Sequence, residues 1–215
     1  MKFYADSADV DRVVQVLRSG LVSGVTSNPT ILDRSDRGAG DFATMYETYV
    51  AAGASEVFFQ TWGADTTEML VNARRITELG DRVVVKLTAT LRGFAAASQL
   101  HRAGIATLIT AVNTVAQAAV AAQVGATYIA PYFGQIGDRT GEPPVALITA
   151  MQAALSPTPT QILLASIRNP RAVELTAALG VQLFTAHPDV IEACALSDHS
   201  ATADVAFEDL MARRS

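Results

Sequence analysis

The chain has 215 residues and a mass of 22.6 kDa, enough to bury a sizeable core as one large domain or two small ones. Half of its residues are apolar and only 17% are charged, below the quarter usual in soluble domains, so some of the surface is expected to be apolar and shared with other subunits. A net charge of −5 without a basic cluster argues against nucleic acid as a partner, and no apolar run approaches the length of a membrane span.

The opening Met1 to Asp6 lacks the long apolar core of a secretory signal. The single Cys194 excludes an internal disulfide, and three scattered histidines give no metal-ligand spacing. The expectation is a cytoplasmic enzyme or binding protein for small molecules, free of metal and cofactor, with no nucleic-acid or membrane partner.

Eight short apolar runs follow one another as candidate strands: Lys2 to Asp6, Gly24 to Asn28, Glu56 to Gln60, Val83 to Leu87, Ala106 to Thr110, Tyr128 to Tyr132, Ile162 to Ser166 and Leu183 to Ala186. Helical periodicity fills the gaps, with Val10, Val13, Val14 and Leu17 on one face, then Met69, Ala73 and Ile76, then Val112, Val115, Ala119 and Val120. Glycines 20, 53, 80, 104, 125 and 180 stand where helices should end. Strand and helix alternating eight times predict an α/β fold, a (β/α)8 TIM barrel forming a single domain over 1–215, with an additional C-terminal helix at about 199–213. A doubly wound open sheet is the alternative, but no glycine-rich phosphate fingerprint follows the first strand.

In a barrel, chemistry belongs at the C-terminal ends of the strands. Those ends are Asp6, Thr26 with Asn28, Gln60, Lys86, Thr110, Tyr132 and Ser166. Each has a plainer explanation. Asp6 and Ser7 would serve as caps of the first helix, Asn28 and Pro29 as a turn, and Ser166 as the start of a loop. Lys86 is the most informative of them. It is one of only two lysines, and it lies in an apolar run where an ammonium costs several kcal/mol unless paired or deprotonated. A desolvated lysine can lose its proton near neutral pH and attack a carbonyl, which arginine cannot do; the plainer reading is a lysine snorkelling from a strand end.

A neutral amine beside a carboxylate and a phenol suits Schiff-base chemistry on a ketone. In that reading Asp6 or Tyr132, directly or through a water, takes the proton from the collapsing hydroxyl and returns it later. Gln60 and Thr110 position the water, and Asn28 holds substrate hydroxyls.

The segments Phe3-Tyr4-Ala5-Asp6, Gly24-Val25-Thr26-Ser27-Asn28-Pro29, Val83-Val84-Val85-Lys86 and Ala165-Ser166-Ile167-Arg168-Asn169-Pro170 resemble the transaldolase family, in its short-chain branch with fructose-6-phosphate aldolase. The resemblance implies the (β/α)8 barrel, a Schiff-base lysine at Lys86, acid-base assistance around Asp6, and transfer of a dihydroxyacetone unit of a sugar phosphate. It also implies a ring-shaped homo-oligomer, a pentamer or decamer, with the terminal helix packed on a neighbouring subunit. Gln60 with Tyr132 resembles the aldolase branch, whereas Ser166-Ile167-Arg168 resembles the small transaldolases, where Ser166 and Arg168 would hold the substrate phosphate.

The chain departs from the family at Gln135, where a second phosphate-binding arginine is usual. Losing a charge-assisted contact weakens binding by about 1.5–3 kcal/mol, tenfold or more. Arg139 is a candidate replacement, against a solvated loop charge. Further departures at Leu87-Thr88 and Ala186-His187-Pro188 leave the substrate open, including the biosynthesis of an unusual sugar. Release of free dihydroxyacetone, transfer to an aldehyde, and non-catalytic sugar-phosphate binding remain the competing readings. A phosphate-binding isomerase would not need the lysine.

Overall fold

The structure, a computed structural model, describes residues 1–141 and 143–213. Eight parallel strands close into a barrel in chain order: β1 (Lys2–Asp6), β2 (Gly24–Thr26), β3 (Glu56–Gln60), β4 (Val83–Thr88), β5 (Thr107–Val112), β6 (Tyr128–Pro131), β7 (Gln161–Ile167) and β8 (Leu183–Ala186), with β8 pairing back onto β1. The helices are α1 (Val10–Arg18), α2 (Pro29–Arg34), α3 (Phe42–Ala51), α4 (Thr66–Thr77), α5 (Leu91–Arg102), α6 (Val115–Gln123), α7 (Phe133–Thr140), α8 (Val145–Leu155), α9 (Pro170–Ala177), α10 (Pro188–Ala195) and α11 (Asp198–Ala212). The open-sheet alternative is thereby excluded. Among the described residues no helix is long and apolar enough to cross a membrane.

Because side chains alternate along a strand, each strand sends one set outward to the helices and the other into the barrel. Outward residues such as Ala5, Val25, Val57, Phe59, Val85, Leu87 and Ile109 join the helix faces in the larger apolar core. Inward residues Tyr4, Phe58, Val84, Leu108, Tyr128, Ala130, Leu163, Ala165 and Leu183 fill the barrel. At its base, the hydroxyls of Tyr4 and Tyr128 donate to the two carboxylate oxygens of Glu56 at 2.6 and 2.8 Å. The next inward positions toward the C-terminal end are Asp6, Thr26, Gln60, Lys86, Thr110, Tyr132 and Thr185. The alternation that packs the base therefore gathers polar groups at the mouth.

The glycines expected at helix ends all have positive φ, from 74° at Gly104 to 152° at Gly80. Several local expectations shift. The first helix is capped by Asp9, which accepts from the Arg12 amide at 3.1 Å, rather than by Asp6 or Ser7. That leaves Asp6 free of a capping role. β2 stops at Thr26 because Asn28 caps α2 and Pro29 occupies its first turn. In α6 the buried face is Ala118 and Ala121, with Ala119 and Val120 exposed, since Val112 belongs to β5 and the helix begins only after the Thr114 cap. The terminal helix α11 buries none of its residues, and Val205, Phe207 and Leu210 are exposed.

Candidate active site

Lys86 sits on β4, the strand buried along nearly its whole length, and is itself 4% exposed. Its Nζ donates to the main-chain carbonyl oxygen of Ser27 at 2.6 Å. Burial is the main influence on its basicity and lowers the pKa, while the charge of Asp6 works in the opposite direction. The amine lies in a cavity of about 440 Å³ at the C-terminal mouth of the barrel. Leu108, Ala130, Leu163 and Ala165 form apolar parts of its wall.

On the β1–β2 side, Thr26 Oγ1 donates to Asp6 Oδ1 at 2.6 Å and lies 2.6 Å from Thr185 Oγ1. The single proton of Thr26 is committed to Asp6, so Thr185 is the donor in the second bond. A directed relay, Thr185 to Thr26 to Asp6, thus fixes one carboxylate oxygen. Thr185 was not apparent among the strand ends because it lies one residue inside β8. Its inward parity on the strand, two residues beyond Leu183, was the available signal.

On the opposite side, Tyr132 Oη and Thr110 Oγ1 are 2.8 Å apart. Burial pushes the Tyr132 phenol up; the Thr110 hydrogen bond opposes that shift and the Asp6 charge adds to it. Tyr132 therefore keeps its proton beyond the usual tyrosine range. Gln60, beside Lys86 in the strand register, also lines the cavity. Asn28 does two things: its Oδ1 accepts from the Ile31 amide at 3.0 Å as the α2 cap, and the residue lines the cavity.

Two β-bulges shape the rim. Ala111 on β5 and Ser166 on β7 adopt φ of 58° and 59°, each where the strand register shifts. A non-glycine residue in this region costs of order 1–3 kcal/mol, and bulges re-aim side chains beside sites. Both residues line the cavity. Gly134 on α7 makes room for the second bulge, since a Cβ there would stand 2.6 Å from Ser166 O and 2.8 Å from Arg168 Nε.

The cavity lining thus includes Asp6, Thr26, Asn28, Gln60, Lys86, Thr110, Tyr132, Gln135 and Ser166. It does not include Arg168. That guanidinium binds both carboxylate oxygens of Asp138 at 2.8 and 2.6 Å and lines a neighbouring recess that Ser166 lines as well, so Ser166 borders both cavities and Arg168 only the second. Arg139 is likewise outside, bonded to Asn113. His187 is at the start of α10, where its Nδ1 accepts from the Asp189 amide at 3.3 Å. Arg34, at the end of α2, lines the cavity as well, a residue that the reading of the strand ends did not reach.

Comparison with known proteins places the chain in a family. Residues 3–214 match the family model described as Transaldolase/Fructose-6-phosphate aldolase. A probable transaldolase of Streptococcus equi subsp. equi is 35% identical over 187 residues, 86% of each chain. One from Aquifex aeolicus is 32% identical over 194 residues, covering 89% of this chain and 88% of its own. One from Methanococcus vannielii is 30% identical over 214 residues, covering 99% and 96%. With the match running through all eight strands, the chain belongs to the transaldolase/fructose-6-phosphate aldolase family.

Proposed function

We propose that this chain is a Schiff-base aldol enzyme that cleaves or forms the C3–C4 bond of a ketose phosphate and transfers or releases a dihydroxyacetone unit. The observation that carries the reading is Lys86: a buried amine of lowered pKa, in a cavity that also holds Asp6 and Tyr132. The neutral amine attacks the ketone carbon C2, forming a C–N bond and a carbinolamine. Its hydroxyl leaves as water with a proton from Tyr132 or from a water beside Asp6, giving the iminium. Asp6 then takes the proton of the C4 hydroxyl. As C4 becomes an aldehyde carbonyl, the C3–C4 electron pair moves to C3, neutralising the iminium as an enamine.

The fate of the enamine separates transfer from release. Attack of C3 on an aldehyde acceptor, whose oxygen takes a proton, regenerates an iminium that water hydrolyses to a new ketose and the free Lys86 amine, whereas protonation at C3 followed by the same hydrolysis frees dihydroxyacetone. Gln60 bears on this choice, because an amide activates water less than a carboxylate and leaves the acid-base work to Tyr132. That favours the aldolase outcome as the second reading. Incubation with fructose 6-phosphate, with and without an aldose phosphate, decides between them. Product only with the acceptor means transfer; free dihydroxyacetone without it means release; no turnover of any ketose phosphate by folded protein contradicts both.

The same reading makes the chain a cytoplasmic ring-shaped homo-oligomer, a pentamer or decamer, acting on sugar phosphates without metal or cofactor. The exposed Val205, Phe207 and Leu210 of α11 support a subunit contact at that helix. Light scattering on the full chain tests it, a monomer being the contrary result.

A further inference from the structure

The helix α2 lies along the cavity wall. Asn28, Ile31 and Arg34, spaced three apart, all line the cavity from this segment. The same cavity meets a second recess of about 380 Å³ reaching toward Ser7, Ser35 and His187. Asp6, Ile31, Arg34 and Ser166 line both, so these four residues form the boundary between them.

Arginine is the side chain best matched to a phosphate, its planar fork of donors meeting two oxygens at once. Around this mouth, the other arginines are engaged: Arg168 by both oxygens of Asp138, and Arg139 by Asn113. Lys86 is the buried amine at the reacting end. Arg34 has no hydrogen-bond or ion-pair partner for its side chain among the described residues. Position 135, facing the cavity from α7, offers an amide rather than a cation. Two carboxylates share the second recess, Asp6 held by Thr26 and Asp9 by the Arg12 amide. Asp9 lines the second recess but not the first, so its charge disfavours an anion deeper in that recess; Asp6 borders both, and Arg34, free among the described residues, is the cation that offsets it at the boundary beside Ser166.

We propose that Arg34 is a specificity-determining residue that binds the substrate phosphate from the α2 side, at the boundary it shares with Ser166. This proposal rests on the Schiff-base reading of Lys86, and it assigns the discrimination between phosphorylated and unphosphorylated ketoses to α2 rather than to the Arg168–Asp138 pair.

The test uses the full chain and its Arg34→Gln, Arg34→Lys and Arg168→Gln variants. The ratio of kcat/KM for fructose 6-phosphate to that for fructose is measured, together with competitive inhibition by inorganic phosphate. Arg34→Gln is expected to lower the ratio by about tenfold or more and to weaken phosphate inhibition in parallel, with partial recovery in Arg34→Lys. An unchanged ratio in Arg34→Gln, or a loss confined to Arg168→Gln, overturns the proposal. Borohydride capture of dihydroxyacetone on Lys86, run in the same samples, separates the two layers. Capture with an unmoved ratio removes only the role of Arg34. Loss of phosphate inhibition in Arg34→Gln without capture in any sample keeps the phosphate site and removes the Schiff base.

Discussion

Lys86 Nζ is held by the main-chain carbonyl of Ser27 at 2.6 Å rather than by a carboxylate. A neutral amine still has N–H donors for such a bond, so deprotonation does not cost the contact. An ion pair with Asp6 would instead have favoured the ammonium. Asp6 acts on Lys86 only through its charge, and burial outweighs it.

This relationship fixes a sign for stability against pH. The folded-state pKa of Lys86 is lowered, whereas the unfolded chain keeps the ordinary value of about 10.4. Between the two the unfolded state binds the additional proton, so stability rises with pH by up to about 1.4 kcal/mol per pH unit. Below the folded pKa and above about 10.4 the contribution is flat. Urea unfolding of wild type and Lys86→Met across this range should show the difference growing toward alkaline pH. Parallel curves would contradict the burial of a proton-poor amine.

Asp6→Asn should lower the pKa of both Lys86 and Tyr132, since the Asp6 charge raises each of them. The acid limb of imine formation then moves to lower pH. Turnover should fall by about 10²–10⁴ through loss of the proton acceptor. An unmoved limb, measured by borohydride trapping over a pH series, would mean that Asp6 does not act on the amine.

The relay toward Asp6 has a direction, and the direction can be read from two variants. Thr26→Val removes the donor to Asp6 and leaves Thr185 only the Tyr4 carbonyl oxygen at 3.3 Å. Thr185→Val leaves the bond from Thr26 to Asp6 in place. Each is expected to cost about 1–3 kcal/mol of stability as a buried partner is lost. The drop in kcat should be larger for Thr26→Val, and the reverse order would refute the assignment of donors.

Gly134→Ala separates packing from helix propensity. On an ordinary helix this change gains roughly 1 kcal/mol. Here the new Cβ would stand 2.6 Å from Ser166 O and 2.8 Å from Arg168 Nε, so a net loss of about 1–3 kcal/mol is expected, with a raised KM as Ser166 shifts. Thermal unfolding and steady-state kinetics check it; a stabilised variant with unchanged KM would show that the bulge tolerates the methyl.

Apolar runs alternating with helical segments, and regular glycine punctuation, made the barrel legible, because strands buried on both faces leave apolar runs and helices closing in αL leave glycine. Lys86 stood out because burial makes its residue type expensive. What escaped was set by tertiary detail. The bulges at Ala111 and Ser166 need positive φ in residues that do not advertise it. Thr185 was hidden because a pleat, and not a strand's last residue, decides which side chain faces inward. Arg168 shares a recess with Ser166 but does not line the main cavity, because Asp138, thirty residues earlier in the chain, holds its guanidinium on the other side. Arg34 reached the cavity through the placement of α2, which local propensity does not encode.

The most direct measurement is borohydride reduction in the presence of fructose 6-phosphate, followed by peptide mapping of the modified residue. The expected result is a reduced three-carbon or ketose adduct on Lys86, absent from Lys86→Arg along with turnover. Full activity in Lys86→Arg, or an adduct confined to another residue, would contradict a Schiff base at the barrel mouth.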